Sequence, residues 1–399
     1  MNKYQITLTP VDKFFFGGDM TFQVGKDEKD PFNEQYASYI IESSKFPQQT
    51  SLLGMLRFLI LRNAGENVFA NGKILDNKAT TVRELIGEKS FRVNTEANHK
   101  TNEFGKILSI THVRLLMTVD GQSKELEFAP LFKELSFKNA SWGIFGTEEV
   151  SIPDITTDDY KAKDGLKQWL TDGKNNFDPE KIFVEDRRIG INRDIKTGKT
   201  IDEGKLGTDQ TDDKALFKQI SYRFSNKEQK VDKNQNKVIE DEAKKKDAKY
   251  CFIFDAEIEN DVPMENYNGQ IVSVGGDNSQ FIIGISKKEE SDNILEQRNN
   301  SIYLLSPTFL TKEEVLKAKF AITNVIPFRF LKSNINAKSY HILSKEKDPK
   351  DRVTRSDKFE LYAPGSIFYF EDTTVKEAFA KIIESKKEFR QIGYNAYQA

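Results

Sequence analysis

A single cysteine, Cys251, stands in the 399 residues. One thiol excludes an internal disulfide framework and any cysteine-based zinc ribbon, and it fits a reducing compartment. Histidine is nearly as scarce: His99, His112 and His341 are the only three, and none lies in a metal-ligand spacing. Long apolar runs are missing too. The longest, Ser51 to Leu61, is interrupted by Arg57 and falls well short of the ~20 residues a bilayer span needs. The opening MNKYQITLTP has no apolar core of a secretory signal. These absences lead to the expectation of a soluble, cytoplasmic protein with no membrane partner. Charge of one sign is also lacking, with 60 basic against 62 acidic side chains and a formal net charge of -2. Any nucleic-acid surface must therefore be a local concentration of Lys and Arg balanced by acid elsewhere. There is no Gly-x-x-x-x-Gly-Lys phosphate loop, no Ser-His-Asp arrangement in motif context and no carboxylate pair that stands out, so neither a metal nor a cofactor is expected.

What is present is phenylalanine, 30 of them against 13 Tyr and 2 Trp, enough apolar mass to exclude a disordered chain. At roughly 100–200 residues per domain the length suggests two domains. Tyr4–Val11 alternates as a strand and runs into the turn Phe14-Phe15-Phe16-Gly17-Gly18-Asp19, followed by a polar loop to Phe46. Leu52, Leu53, Leu56, Leu59 and Ile60 form a helical stripe over 52–61, with Thr50 or Ser51 as the expected N-cap. Gly54 within it implies close packing against a sheet. Residues 64–180 read as an elaboration, with one or two strands over 107–119, an aromatic-anchored turn at 142–146 and part of a helix at 166–170. Residues 182–191 and 200–206 flank a turn signal and are expected to form a β-hairpin. Strands follow at 217–224 and 250–258, separated by the polar excursion 225–249. The last hundred residues give strand 302–305, a helix start at 312–317, strand 320–330, strand 359–370, helix 374–387 and strand 389–397. That order is β-α-β-β-α-β. The first 290 residues admit the same order, using strands 4–11, 182–191, 250–258 and 280–286, helix 51–61 and a short helix near 263–268. The expected fold is α+β: two ferredoxin-like (RRM-like) domains, 1–290 with long insertions and a hairpin thumb at 182–206, and 291–399.

Four constellations carry potential chemistry. The hairpin Val184–Arg193 projects Arg187, Arg188 and Arg193, with Lys196 and Lys199 at its tip, where they could track phosphates. Adjacent residues on a strand point to opposite faces, so only some can meet one backbone. The turn Gly275-Gly276-Asp277-Asn278-Ser279 offers main-chain N–H groups and polar side chains to a phosphate or a neighbouring subunit. A Gly-Gly-Asp-Asp turn would be a two-metal cyclase signature, but Asn278 replaces the second carboxylate. Pro364-Gly365-Ser366 forms a sharp turn before an aromatic strand. At the end of the chain Arg390 and Gly393 could meet a phosphate and Tyr394 could stack on a base. For bond chemistry, only His112 could serve as a general base in metal-independent RNA cleavage.

Taken in order along nearly the whole chain, these motifs resemble the RAMP superfamily of CRISPR proteins. The motifs are Phe16-Gly17-Gly18-Asp19-Met20-Thr21-Phe22, Phe46–Arg57, Arg188-Ile189-Gly190-Ile191 with Thr197-Gly198-Lys199, Gly275-Gly276-Asp277 and Pro364–Phe368. Within that superfamily they look like the third-subunit group of type III-B (Cmr) effectors, related to the Cas subunits that bind the five-prime tag. The resemblance implies a non-catalytic subunit of an antiviral ribonucleoprotein that holds the 5′ repeat-derived tag of the crRNA. It also implies contacts with the large palm-domain CRISPR subunit and with the RAMP backbone filament subunit. By motif it carries RNA contact to Arg57, Arg188, Asn192, Gly276, Ser279, Gly365, Ser366 and Gly393, beside the Arg187, Arg193, Lys199, Gly275, Asn278 and Arg390 singled out above. The alternative is a CRISPR-repeat endoribonuclease of the same superfamily with His112 as general base.

Overall fold

The first strand, Asn2–Pro10, buries Tyr4, Ile6 and Leu8 and turns Lys3, Gln5 and Thr7 the other way, as a period of two requires. In the computed structural model it lies in a nine-stranded sheet. That structure describes residues 1–17, 20–25, 35–65, 67–70, 73–93, 102–131, 141–145, 148–151, 160–161, 165–166, 168–191, 216–228, 246–288, 300–333 and 354–399. The sheet runs Asn176–Phe177, Leu170–Thr171, Gln122–Phe128, Arg114–Val119, Ala248–Ile258, Asn2–Pro10, Gln280–Lys287 and Ile271–Ser273, with Ile107–Ile110 also pairing with Ala248–Ile258. Helix Gln49–Arg62 shares a core with it, through Leu52, Leu53, Leu56, Leu59 and Ile60 against Tyr4, Ile6, Leu8, Phe252 and Phe254.

Several expectations are corrected here. The strand beside Ala248–Ile258 is Arg114–Val119, not 182–191, so part of 64–180 builds the central sheet. Phe183–Ile191 pairs instead with Leu216–Phe224, in full register from Phe183↔Phe224 to Ile191↔Leu216. Residues 200–206 lie outside the described residues. Leu216–Phe224 also pairs in parallel with Gln35–Glu42, and that strand pairs with Met20–Gly25, so two strands occupy what reads as a polar loop. Ser141–Phe145 is a strand paired with Glu148–Ser151, and Gly165–Leu166 and Leu170–Thr171 are strands rather than a helix. The short helix near 263–268 is a 3₁₀ turn, Met264–Tyr267.

Helix Gln49–Arg62 is not capped by Thr50 or Ser51. Gln48 is its N-cap and offers no side-chain bond. The C-terminal segment meets that end, with Gly393 against the Gln49 side chain. The Gln49 side chain donates to Thr111 O and Gly393 O, both at 3.1 Å. Gly54 is exposed, and a Cβ there would touch nothing within 4 Å, so close packing does not explain it.

The C-terminal sheet runs Phe320–Ile322, Ile367–Tyr369, Ser301–Leu304 and Tyr397–Gln398. Helix Thr373–Ser385 covers it, with Phe379 and Ile383 one turn apart against Ile302, Leu304, Phe368 and Phe370. Its first turn is capped by Asp372, which accepts from Val375 N at 2.9 Å. The long strands read over 320–330 and 359–370 are each broken in two, the latter at Pro364-Gly365. The chain end is a helical turn, Lys387–Arg390, before the two-residue strand. The large core crosses position 290, whereas the core under helix Thr373–Ser385 is built from residues beyond it. Phe328, Phe330, Phe389 and Tyr394 join the large core, where Phe91 meets Phe330 at 5.1 Å and Phe389 at 5.6 Å between ring centroids.

Candidate nucleic-acid interface

Phenylalanine builds the floor of the site. Phe14, Phe16, Phe183, Phe224, Phe252 and Phe281 form one aromatic cluster, with Phe14–Phe16 at 5.0 Å and Phe16–Phe281 stacked at 5.8 Å. Above it, residues 13–17 run as a strap between two elements. On one side Phe14 N donates to Tyr222 O at 2.8 Å, and Tyr222 N returns to Phe14 O at 3.0 Å. On the other side Gly276 N donates to Phe15 O at 2.8 Å. Buried Ser279 completes the joint. Its Oγ accepts from Phe15 N at 2.8 Å and donates to Gly276 O at 2.7 Å. Gly275 has φ +89°, and a Cβ there would collide with Phe15 O, so only glycine lets the two backbones approach.

The turn then exposes Asp277 and Asn278, both left-handed at φ 51° and 54°. Gln219 Nε2 reaches Asp277 Oδ2 at 3.3 Å, tying the tip to strand Leu216–Phe224. Across the ladder, Gln219 is opposite Arg188, and Lys218 is opposite Ile189. Arg188 is exposed. Arg187, on the other face, is held by Glu185 through Nε at 2.7 Å. Lys13 Nζ pairs with Asp186 Oδ1 at 2.8 Å and pins strand Phe183–Ile191 to the strap. Burial, with Glu42 accepting from its hydroxyl at 2.7 Å, pushes the Tyr222 phenol far above its ordinary range, so it stays a neutral donor. The structure thus brings Arg188, Gly275, Gly276, Asn278 and Ser279 to one corner, while Arg187 points to the other face of its strand. Lys13, Gln219 and Asp277 belong there too. The sequence reading missed Lys13 and Gln219 as site members, and the only signal for them was their place beside the aromatic turn and on the hairpin partner strand.

The other sequence-derived residues lie apart. Asn192, Arg193 and Lys199 fall outside the described residues. Arg57 is half-buried on the first helix and donates to Gly87 O at 3.2 Å. Gly365 and Ser366 are packed inside. Gly365 N donates to Leu304 O at 2.7 Å and its carbonyl accepts from Leu131 N at 2.8 Å, while Ser366 Oγ accepts from Asn324 N at 3.3 Å. Gly393 is buried at φ +85°, against the Gln49 side chain and Thr111 O, and Tyr394 beside it is buried as well. Arg390 is exposed near Glu384. None of these buried groups offers a surface to a strand of RNA in this chain.

His112 sits on the opposite face of the main sheet. Its side chain is 12% exposed, with Nε2 3.6 Å from Glu127 Oε1. Beside it Arg114 joins Glu125 at 2.8 Å and Asp255 at 3.2 Å, and Lys288 reaches Asp255 at 2.7 Å. Burial alone would raise the Glu127 pKa, but His112 and Arg114 outweigh it and hold the carboxyl below its usual range. Among the described residues no group of His, Cys, Asp and Glu could hold a metal ion, and no helix is long and apolar enough to cross a membrane.

The model of one protein family, the CRISPR-associated protein Cas_Cmr3, matches residues 6–398. The chain belongs to the Cas_Cmr3 family. The resemblance read from the ordered motifs therefore holds at the level of the family, across almost the full sequence. No curated protein matches this Cas_Cmr3 chain. Among solved structures it is similar to a chain of the cryo-EM structure of the Type III-B Cmr-beta bound to cognate target RNA and AMPPnP, state 1. Identity is 12%, 99% of this chain and 96% of that one are covered, and the TM-score is 0.45. It is also similar to a chain of Type III-B Cmr-beta bound to cognate target RNA, with 12% identity, the same coverage and a TM-score of 0.43. At that level of likeness neither adds to the family assignment.

Proposed function

We propose that this Cas_Cmr3-family chain is a non-catalytic, RNA-binding subunit of a type III-B CRISPR effector working in the cytoplasm. It holds the 5′ repeat-derived tag of the crRNA and bridges the large palm-domain subunit to the backbone filament. The observation that carries this reading is the corner where exposed Arg188 adjoins a rigidly rooted, exposed Gly-Gly-Asp-Asn turn. Arginine neutralises phosphate, glycine allows close backbone approach, and single-stranded RNA is characteristically read through such loops. The scaffold is ferredoxin-like in this reading. Both sheets place the sequence's first strand of the unit between its fourth and third, with the second outermost of the four: 280–287, 2–10, 248–258, 114–119 in one, and 397–398, 301–304, 367–369, 320–322 in the other. We assign direct RNA contact to Arg188, Gly275, Gly276 and Asn278, with Asn192, Arg193 and Lys199 further along the hairpin. Ser279, Gly365, Ser366 and Gly393 act by shaping the backbone. His112 is a poor candidate for a nuclease base because its nearly buried imidazole faces Glu127, out of reach of a substrate.

The test is the salt dependence of RNA affinity. Arg188→Ala with Arg193→Ala should weaken binding of tag RNA. The slope of log K against log salt should flatten by about 1.4, at about 0.7 for each single-strand phosphate left without its arginine. An unchanged slope and affinity would remove the hairpin from the interface.

A further inference from the structure

The turn that roots the proposed RNA site ends in an acid, and an acid is the wrong group for holding phosphate. Asp277 is exposed at the tip, and among the described residues no lysine or arginine forms an ion pair with it. Its conformation is unusual as well. It and Asn278 occupy the left-handed region, where glycine would be the relaxed choice. The side chain is also aimed, because Gln219 Nε2 holds one carboxylate oxygen at 3.3 Å. Behind it the backbone is locked by the Ser279, Phe15 and Gly276 hydrogen bonds. A negative, oriented, unpaired acceptor standing beside exposed Arg188 is placed to receive a base edge while the arginine meets the flanking phosphate.

We infer that Asp277 is a base-reading residue that selects an unpaired guanine in the bound RNA strand. A carboxylate accepts two parallel hydrogen bonds. Guanine is the one common base whose Watson–Crick edge presents two adjacent donors, N1–H and the N2 amino group. Adenine and cytosine each set a single amino group beside an acceptor nitrogen, and uracil sets its N–H between two carbonyls. All three therefore direct lone pairs at an acid. The hydrogen bond between Gln219 and Asp277 uses one lone pair of Oδ2 and leaves the remainder free to receive a base. This inference rests on the RNA-binding reading above and names the group that the turn recognises.

The test uses the full chain and two uridine octamers, one carrying a single guanosine and one carrying inosine at that position, with the position stepped along the strand. Inosine lacks only the N2 amino group. At the productive position the native protein should bind guanosine roughly tenfold more tightly than inosine. Asp277→Asn keeps a residue that tolerates the left-handed conformation, so the turn persists, but it replaces one acceptor oxygen by a donor and should abolish that preference. Native protein that binds all the octamers equally overturns the inference and leaves RNA binding standing. Tighter binding of every octamer by Asp277→Asn also overturns it, since that is the signature of an acid that merely repels phosphate. Native protein that binds none of them removes the RNA-binding reading beneath it.

Discussion

At the scale of single residues, glycine divides into positions the fold requires and one it does not. Gly54 lies mid-helix, exposed and with open space where a Cβ would stand. Gly54→Ala should therefore raise stability by up to about 1 kcal/mol, read as a higher denaturant midpoint. Gly393→Ala should do the opposite, losing about 2 kcal/mol or more, because its φ is +85° and the new methyl would meet Thr111 O. Sequence alone could not separate the two. Gly54 sits in a clean helical pattern, which suggested a packing reason for it, while Gly393 sits in a polar-looking tail that suggested a surface. The difference lies in neighbours brought in from distant parts of the chain.

At the scale of elements, joints between segments decide more than the segments themselves. The first helix is legible from its apolar stripe, yet its start is anchored by Gln49 reaching to Thr111 O and Gly393 O. Gln49→Leu leaves both carbonyls buried without that donor and should cost about 1–3 kcal/mol in chemical denaturation. An unaffected midpoint would show that water replaces the amide. Both strands of the hairpin were legible, but their pairing was not. Strand Phe183–Ile191 has its partner Leu216–Phe224 beyond a long stretch, and the nearer segment at 200–206, just past a turn signal, offered a simpler hairpin. Pairing of distant strands is set by register and by the face each buries, which local patterning does not encode.

At the scale of the whole molecule, one large core joins the first strand to Phe328, Phe330, Phe389 and Tyr394, while the far side of the main sheet carries ion pairs. Two carboxylates should give the protein its acid sensitivity. Glu127 and Asp172 have folded pKa values below their unfolded values near 4.5 and 3.8. For Glu127, His112 and Arg114 outweigh burial; for Asp172, the N–H groups of Asn175 and Lys174 do. A depressed folded value means the stabilisation is complete above the unfolded value and is lost as pH falls through the folded one. Thermal stability should thus hold from neutrality to about pH 5 and decline below about pH 4, and Glu127→Gln should make that decline shallower; an identical acid limb would show that the pair contributes nothing. The sequence by itself determined what depends on composition and short-range pattern: a chain without a disulfide framework, an α+β class, the first strand and helix, and the ordered motifs that mark the family. Tertiary structure alone decided which strands pair, that Gly365, Ser366 and Gly393 serve the interior, and that Arg188, Gln219 and Asp277 meet at one corner. The reason is physical: burial and contact are properties of distant segments brought together, and a glycine or an arginine reads the same in sequence whether it faces water or the core.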